Sequence, residues 1–195
     1  MFYHTQRRFT MKTKDMTYVA LFTAVMGALG LVPPIFLSFT PVPITLQTMG
    51  VMLAGGILGA RLGALSQFIF LCLVAVGVPL LSGGRGGMSV FFSPSAGYLI
   101  SYIFAAFFIG WTLSKLKTLA FTKVFITNVL FGILLVYAFG IPVQAMLLHI
   151  PFWKSLQLSL VYIPGDCIKA IIAAYLITKV RKVVTVTGRS NTASM

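Results

Sequence analysis

The sequence predicts an all-α membrane protein with six transmembrane helices and both termini in the cytoplasm. Hydrophobic residues make up 58% of the 195 positions and charged residues only 9%, whereas a soluble domain carries about 25% charged residues. Two stretches, residues 16–60 and 62–84, contain no charged residue, and each is long enough for a span of about 20 apolar residues. We therefore expect a multi-pass protein of the plasma (inner) membrane, with lipid around its helices.

Apolar runs, and the prolines, glycines and charges that interrupt them, define the six spans. In chain order they cover residues 16–37, 45–60, 62–81, 94–113, 121–140 and 164–180. The first is interrupted by Pro33 and Pro34, and a glycine-rich stretch follows the third. Residues 141–163 are too polar and broken for a clean span, so we expect a re-entrant or interfacial segment between helices five and six.

Basic residues indicate which ends of the spans face the cytoplasm, because cytoplasmic loops are enriched in Lys and Arg. With the N-terminus inside, the outer connectors hold only Arg85 and Lys154, and Lys169 lies within the sixth span. The other twelve of the 15 Lys and Arg residues fall on inner segments: Arg7, Arg8, Lys12, Lys14, Arg61, Lys115, Lys117, Lys123, Lys179, Arg181, Lys182 and Arg189. An even number of spans with both termini cytoplasmic explains this asymmetry.

The chain divides into a basic cytoplasmic N-terminal segment (1–15), a membrane domain (16–182) and a cytoplasmic tail (183–195) that is expected to be disordered. No segment is left for a soluble catalytic domain. The sequence contains no Gly-Lys dipeptide, so it lacks the phosphate-binding loop in which lysine follows glycine. We expect the chain not to hydrolyse ATP by itself, and any energy that it uses to come from a partner or a gradient.

The formal net charge of +13 raises the alternative of nucleic-acid binding. The basic residues lie at the chain ends and in short connectors, without the basic and aromatic groove pattern of nucleic-acid-binding proteins. These basic residues are better explained by a role in fixing the topology and in contacting anionic lipid headgroups. Cys72 and Cys167 lie inside apolar runs with no Cys/His cluster, so no metal site, disulfide or cofactor is predicted.

Asp15 and Asp166 are the two acidic residues of the chain. Asp15 borders the first helix, where a carboxylate favours the N-terminus. Asp166 follows Pro164 and Gly165 at the start of the sixth span, and Lys169 lies three residues on, on the same helical face. An ionisable pair inside a membrane helix marks a functional site by default, so we predict a site for a ligand captured from outside. The alternative is that Asp166 only caps the helix and Lys169 neutralises it.

A glycine-rich stretch at residues 83–87 is the second candidate for ligand contact. Gly83 and Gly84 let the backbone approach a ligand closely, and Arg85 offers a planar fork to a carboxylate. Flexible outer loops are also often rich in glycine without any role in binding. Other polar residues near the outer helix ends are candidates either for ligand contact or for interhelical hydrogen bonds: Thr45, Gln47, Thr48, Ser82 and Tyr98.

Small residues recur every four positions on the first span, at Ala20, Ala24 and Ala28. Such a stripe permits the close approach of another helix. The stripe alone leaves open whether that helix belongs to the same chain or to a partner.

Four motifs, taken in order, resemble those of the BioY family. They are PVPITLQT (41–48) at the start of the second span, GARLGALS (59–66) at the turn to the third, GGRGG (83–87) followed by PSAGY (94–98), and IPGDCIK (163–169). The last matches the PGDxxK motif that opens helix six of the family. The resemblance covers residues 14–181, nearly the whole chain.

The resemblance implies a six-helix substrate-capture subunit, called an S-component, of an energy-coupling-factor transporter, with biotin as its substrate. Such subunits associate with a transmembrane coupling protein and a pair of ABC-type ATPases. Ala20, Ala24 and Ala28 resemble the element that these subunits present to the coupling protein. Self-association of the chain stays open.

The resemblance also implies roles in binding biotin. Asp166 would accept from the ureido N–H groups, and Lys169 would donate to the ureido carbonyl or orient Asp166. Arg85 or the loop amides would take the valerate carboxylate, while Phe91, Phe92 and Tyr98 would cover the apolar rings. The expected substrate-binding set is Asp166, Lys169, Arg85, Tyr98, Ser82, Gln47, Gly83 and Gly84.

Two other functions are the alternatives. An S-component for another vitamin or small organic anion would share the architecture and differ in ligand. A membrane-embedded transferase would need several carboxylates or a His/Asp metal cluster, whereas this chain has two acidic residues and two histidines in separate places. We therefore predict a transporter subunit rather than an enzyme.

Overall fold

The computed structural model describes residues 12–190 except positions 37, 39, 41 and 117, with side chains as far as Arg181. Arg7, Arg8, Pro41 and Lys117, which the predictions above use, lie outside the described residues, as do residues 191–195. Within the described ranges the chain forms seven longer helices and one short 3-10 helix, Met88–Phe92. The longer helices are α1 (Thr13–Gly30), α2 (Gln47–Leu58), α3 (Ala60–Val76), α4 (Ala96–Lys115), α5 (Phe121–Leu148, π-helical at Asn128–Leu134), α6 (Phe152–Leu160) and α7 (Ile163–Ser190).

The prediction of an all-α chain with membrane-spanning helices is confirmed. Among the described residues, α4 and α5 are long and apolar enough to cross a membrane. The pair α6 and α7, bent by 54°, makes a third candidate span if it is counted as one. Helices α2 and α3 are shorter and apolar. In the described part of the chain, extended pairing is limited to isolated bridges, such as that between Ile35 and Ile44.

Helix α1 ends at Gly30, earlier than the predicted span of residues 16–37. Pro33 and Pro34 follow after Leu31 and Val32, and a proline disfavours helical geometry at the residue before it. Ile35 instead exchanges two backbone hydrogen bonds of 3.0 Å with Ile44. The connection from α1 to α2 therefore folds back on itself as an extended loop.

The prediction that residues 141–163 form a separate segment is wrong for its first part, because α5 continues to Leu148. Pro142 lies inside this helix without ending it. The helix ends where His149 adopts a left-handed conformation, with φ 53°, and Pro151 then opens the short helix α6. Only α6 remains as the distinct element between α5 and α7.

Helix α7 begins at Ile163, and its backbone stays helical as far as Ser190. The helix therefore extends into the segment from residue 183 that the sequence assigns to a disordered tail. The division into an N-terminal segment, a membrane domain and a tail stays a prediction.

Helix α4 lies at the centre of the bundle and packs against α2, α3 and α5. Two glycines permit its closest approaches. A Cβ at Gly55 of α2 would overlap the carbonyl of Ala106, and a Cβ at Gly110 of α4 would overlap the backbone of Ala60. Since small residues allow helix backbones to approach in lipid, these glycines fix how closely α2 and α3 pack against α4.

Candidate functional site

The two ionisable residues of α7 form a buried ion pair at the first turns of the helix. Lys169 Nζ lies 2.8 Å from Asp166 Oδ1, and the two side chains are 8% and 6% exposed. Their spacing of three residues places them on one helical face. A buried carboxylate needs further hydrogen bonds to compensate for the water it loses.

Helices α2 and α5 supply those hydrogen bonds. Tyr137 of α5 donates its hydroxyl to Asp166 Oδ2 at 2.5 Å, and Thr48 of α2 donates to Asp166 Oδ1 at 3.4 Å. Lys169 Nζ also donates to Thr48 Oγ1 at 3.3 Å. Three helices that are distant in sequence therefore meet at one carboxylate, which is more than the capping of α7 requires.

This cluster faces a cavity of about 50 Å³. Four buried tyrosines line the cavity: Tyr98, Tyr102, Tyr137 and Tyr162. Small-molecule pockets have volumes of about 300–1,000 Å³, so a ligand larger than a few waters enters only if part of the lining moves. The walls combine apolar ring faces with hydroxyl groups, which suits a ligand that is itself partly apolar and partly polar.

The extended loop before α2 closes one side of the cavity through Val42, Pro43 and Ile44. Tyr162, at the junction of α6 and α7, donates its hydroxyl to the Val42 carbonyl at 2.8 Å. The loop is therefore tied to the same corner of the bundle that carries Asp166.

Tyr98, which the sequence predicted as a site residue, does line this cavity. Its hydroxyl donates to Gln144 Oε1 at 3.0 Å and lies 3.0 Å from Ser159 Oγ. Ser159 belongs to α6, and Ser155 of the same helix donates to the Ile141 carbonyl of α5. The polar face of α6 is thus bonded to α5 and to a cavity tyrosine.

Arg85 lies in the loop between α3 and α4, beside the cavity rather than in its lining. Its Nε donates to the Ser82 carbonyl at 3.3 Å. Burial lowers the pKa of Arg85, and the electrostatic interaction with Tyr102 raises it in part. Tyr102 lines the cavity, so the guanidinium is within electrostatic range of the cavity wall.

The rest of this loop forms a tight turn. Gly83 and Gly84 are exposed and have φ of 82° and 68°, a conformation that favours glycine. Ser82 is fully buried, and its hydroxyl has no hydrogen-bond partner among the described residues. Of the loop residues in the predicted set, Ser82 is therefore buried and Arg85 half-buried, whereas both glycines are exposed.

Gln47 does not line the cavity. It is buried at the start of α2, and its Nε2 donates to the Leu80 carbonyl at 3.0 Å. In this conformation Gln47 holds the end of the α3–α4 loop against α2. Phe91 and Phe92 line a separate apolar groove of about 370 Å³ that includes Cys72, so they do not cover the Asp166 cavity.

The alanines of α1 lie on the surface. Ala20, Ala24 and Ala28 are exposed and line a groove of about 860 Å³ between α1 and α3, with Leu65 and Ile69 on its far side. The groove wall is almost entirely apolar. The stripe therefore does not mediate packing of α1 within the described part of the bundle.

Comparisons of the sequence and of the fold with known proteins identify relatives of this chain. The family model described as "BioY family" matches residues 4–186. The chain belongs to the BioY family. Its fold is similar to a crystal structure of "the S-component for biotin from an ECF-type ABC transporter", with a TM-score of 0.85 and 42% identity, covering 89% of this chain and 95% of that one.

Two similar BioY proteins span nearly the same length as this chain. The "Probable biotin transporter BioY" of Bacillus subtilis (strain 168) is 52% identical over 170 residues, covering 87% of this chain and 91% of that protein. The "Biotin transporter BioY" of Rhizobium etli is 47% identical over 175 residues, covering 85% of this chain and 92% of that protein.

Sequence reasoning about this BioY chain missed three of the four cavity tyrosines: Tyr102, Tyr137 and Tyr162. Tyr102 follows Tyr98 by one helical turn on α4, so the spacing of i and i+4 was a usable signal. Tyr137 lies in an apolar run that resembles any lipid-facing segment. The location of Tyr162 depends on the bend between α6 and α7, which periodicity does not predict.

Proposed function

We propose that this chain is the substrate-binding subunit of an energy-coupling-factor transporter, which captures biotin from outside the cell and delivers it across the membrane with an energy-coupling module. The observation that carries the proposal is the buried Asp166–Lys169 pair at a tyrosine-lined cavity. The similar proteins named as biotin transporters, and the S-component for biotin, support the same substrate.

The chemistry of the cavity suits a ureido group. Such a group has two N–H donors and one carbonyl acceptor. Asp166 is an acceptor for the N–H groups, and Lys169, with three donors, serves the carbonyl. Hydrogen bonds to charged partners are the stronger ones, and the tyrosine rings provide apolar contact for the fused thiophane ring.

The valerate carboxylate of biotin needs a cationic partner at a distance from the ureido end. Arg85 is such a partner, because its guanidinium interacts with Tyr102 at the cavity wall and can bind a carboxylate with two parallel hydrogen bonds. The buried hydroxyl of Ser82, beside it, is a further donor. Gly83, Gly84 and Gln47 stay in the proposed set as residues that shape this loop.

We infer six membrane spans, formed by α1 to α5 and α7, with α6 as the interfacial segment and both termini cytoplasmic. The distribution of Lys and Arg supports this orientation. Helix α2, with 12 residues, covers only about 18 Å, so its span also needs the extended residues before it. In this topology the Asp166 cavity lies near the outer face of the plasma membrane.

The partners in this proposal are a transmembrane coupling protein and a pair of ABC-type ATPases. The exposed, apolar groove that contains Ala20, Ala24 and Ala28 supports α1 as the surface presented to the coupling protein, because small residues permit close helix approach. Membrane lipid covers the remaining apolar surface.

Uptake of radiolabelled biotin tests the proposal. We expect cells that lack their own biotin transporter to accumulate biotin when they express this chain together with the coupling protein and ATPases, and purified chain alone to show no ATPase activity. Concentrative uptake by the chain alone in liposomes, without any ATPase, would contradict the dependence on a module. Absence of uptake with the full module would contradict biotin as the substrate.

A further inference from the structure

The carboxylate of Asp166 already accepts three hydrogen bonds from the protein itself, of the about four that its two oxygens can accept. Its Oδ1 accepts from Lys169 at 2.8 Å and from Thr48 at 3.4 Å. Its Oδ2 accepts from Tyr137 at 2.5 Å, at the short end of the range for a hydroxyl bonded to a carboxylate. The acceptor position that remains is on Oδ2, beside the Tyr137 hydroxyl.

The position of Tyr137 leaves little room beside that bond. Its side chain is buried, and its ring lies edge-on to the ring of Tyr98, with the centroids 6.2 Å apart and the planes at 81°. The cavity in front measures about 50 Å³. A bicyclic ligand is larger than this space, so part of the lining must move to admit it. The phenol of Tyr137 is the part of the lining that lies against Oδ2.

We propose that Tyr137 is an internal competitor for Asp166, which holds the carboxylate in the ligand-free protein, yields it to a ligand N–H, and takes it back when the ligand leaves. The inference rests on the proposed function, since it assumes that Asp166 accepts from the substrate. Binding then exchanges one hydrogen bond for another instead of adding one. The consequence is a lower affinity and a faster release than the buried ion pair alone would give.

The direction of the effect distinguishes this role from ordinary ligand contact. If Tyr137 touched the ligand, removal of its hydroxyl would weaken binding. If it competes with the ligand, removal of the hydroxyl leaves a buried acceptor short of a donor in the empty protein only, because the ligand restores that donor on binding. The empty state becomes less stable, the bound state does not, and the affinity rises.

The test is Tyr137→Phe in the purified full chain, with biotin as the ligand. We expect the Kd to fall by about tenfold, which corresponds to about 1.4 kcal/mol, the dissociation rate to fall with it, and the melting temperature of the ligand-free protein to decrease. A Kd that is unchanged or higher in the folded variant overturns the proposal. If Tyr137→Phe does not fold, Tyr137→Leu removes the same hydroxyl and is judged by the same criteria.

Two controls make the result specific. Tyr175→Phe is the same substitution on the exposed face of α7, and it is expected to change neither the Kd nor the melting temperature. In the Asp166→Asn background, Tyr137→Phe should lower the Kd far less than tenfold. A full tenfold decrease of the Kd in that background contradicts competition for the carboxylate. If the wild-type protein binds no biotin, the proposed function is refuted. If the wild type binds biotin and Tyr137→Phe binds it more weakly, only this inference is refuted.

Discussion

Substitution of Asp166 by Asn removes the charge of the central acceptor while keeping the shape of the side chain. The amide oxygen still accepts hydrogen bonds, but as a neutral group. The net contribution of a hydrogen bond to a charged group is about 1.5–3 kcal/mol, against about 0.5–1.5 kcal/mol for a neutral one. We therefore expect biotin binding to weaken by about 1–3 kcal/mol, which raises the Kd roughly 5- to 150-fold.

The same substitution also affects stability, because it leaves Lys169 without its counter-charge. The lysine side chain is 8% exposed, and breaking a buried pair from one side typically costs about 3–5 kcal/mol. Addition of Lys169→Met removes the unpaired charge. The double variant should regain much of the lost thermal stability and none of the lost affinity, which separates the two effects.

Isothermal titration in detergent measures the affinity, and thermal unfolding without ligand measures the stability. Asp15→Asn is the matched control, since Asp15 accepts a bond from the Lys12 amide at the start of α1, and its affinity should equal that of the wild type. Unchanged affinity in a folded Asp166→Asn protein would refute the reasoning and reduce Asp166 to a helix cap.

Three further predictions concern other parts of the molecule. Ala24→Leu should leave biotin binding intact and abolish both uptake and co-purification of the coupling protein, with Ala138→Leu, at another exposed alanine, as the control. Loss of binding without any partner would show that the stripe packs internally. Gly55→Ala should lower the melting temperature, because overpacking typically costs about 1–3 kcal/mol. Gly165→Ala is the control and should not lower it, because a Cβ at Gly165 would lie in open space. Equal melting temperatures of the two variants would contradict the close approach of α2 and α4. Arg85→Gln should weaken the binding of biotin and leave the binding of its neutral amide derivative unchanged, as measured by titration with both ligands. An equal loss of affinity for both would exclude Arg85 as the carboxylate partner.

The sequence predicted the parts of the fold that depend on local composition. Apolar runs indicated helices near their observed positions, and the breakers Pro33 and Pro34 lie just beyond the observed end of α1. The predicted end of the fifth span at residue 140 was too early, because the helix continues through Pro142 to Leu148, and a proline is tolerated in a membrane helix where neighbouring groups satisfy the freed backbone. The bend between α6 and α7 depends on contacts between distant residues, such as Tyr162 with Val42, which no local pattern contains.

The candidate site was predictable where its chemistry is rare in a membrane helix. Asp166 and Lys169 are conspicuous because charges are expensive in lipid. Tyr137 is not, because a tyrosine in an apolar run is ordinary until its hydroxyl is found 2.5 Å from a carboxylate. Gln47 looked equally suitable in sequence, yet its side chain points to the α3–α4 loop and bonds the Leu80 carbonyl, whereas that of Thr48, the next residue, faces the cavity.

The central claim is that the Asp166 cavity binds biotin, and titration of the purified chain with biotin, thiamine and riboflavin tests it most directly. The account predicts saturable binding of biotin at one site per chain and no measurable binding of the other two vitamins. Saturable binding of thiamine or riboflavin without binding of biotin would contradict it.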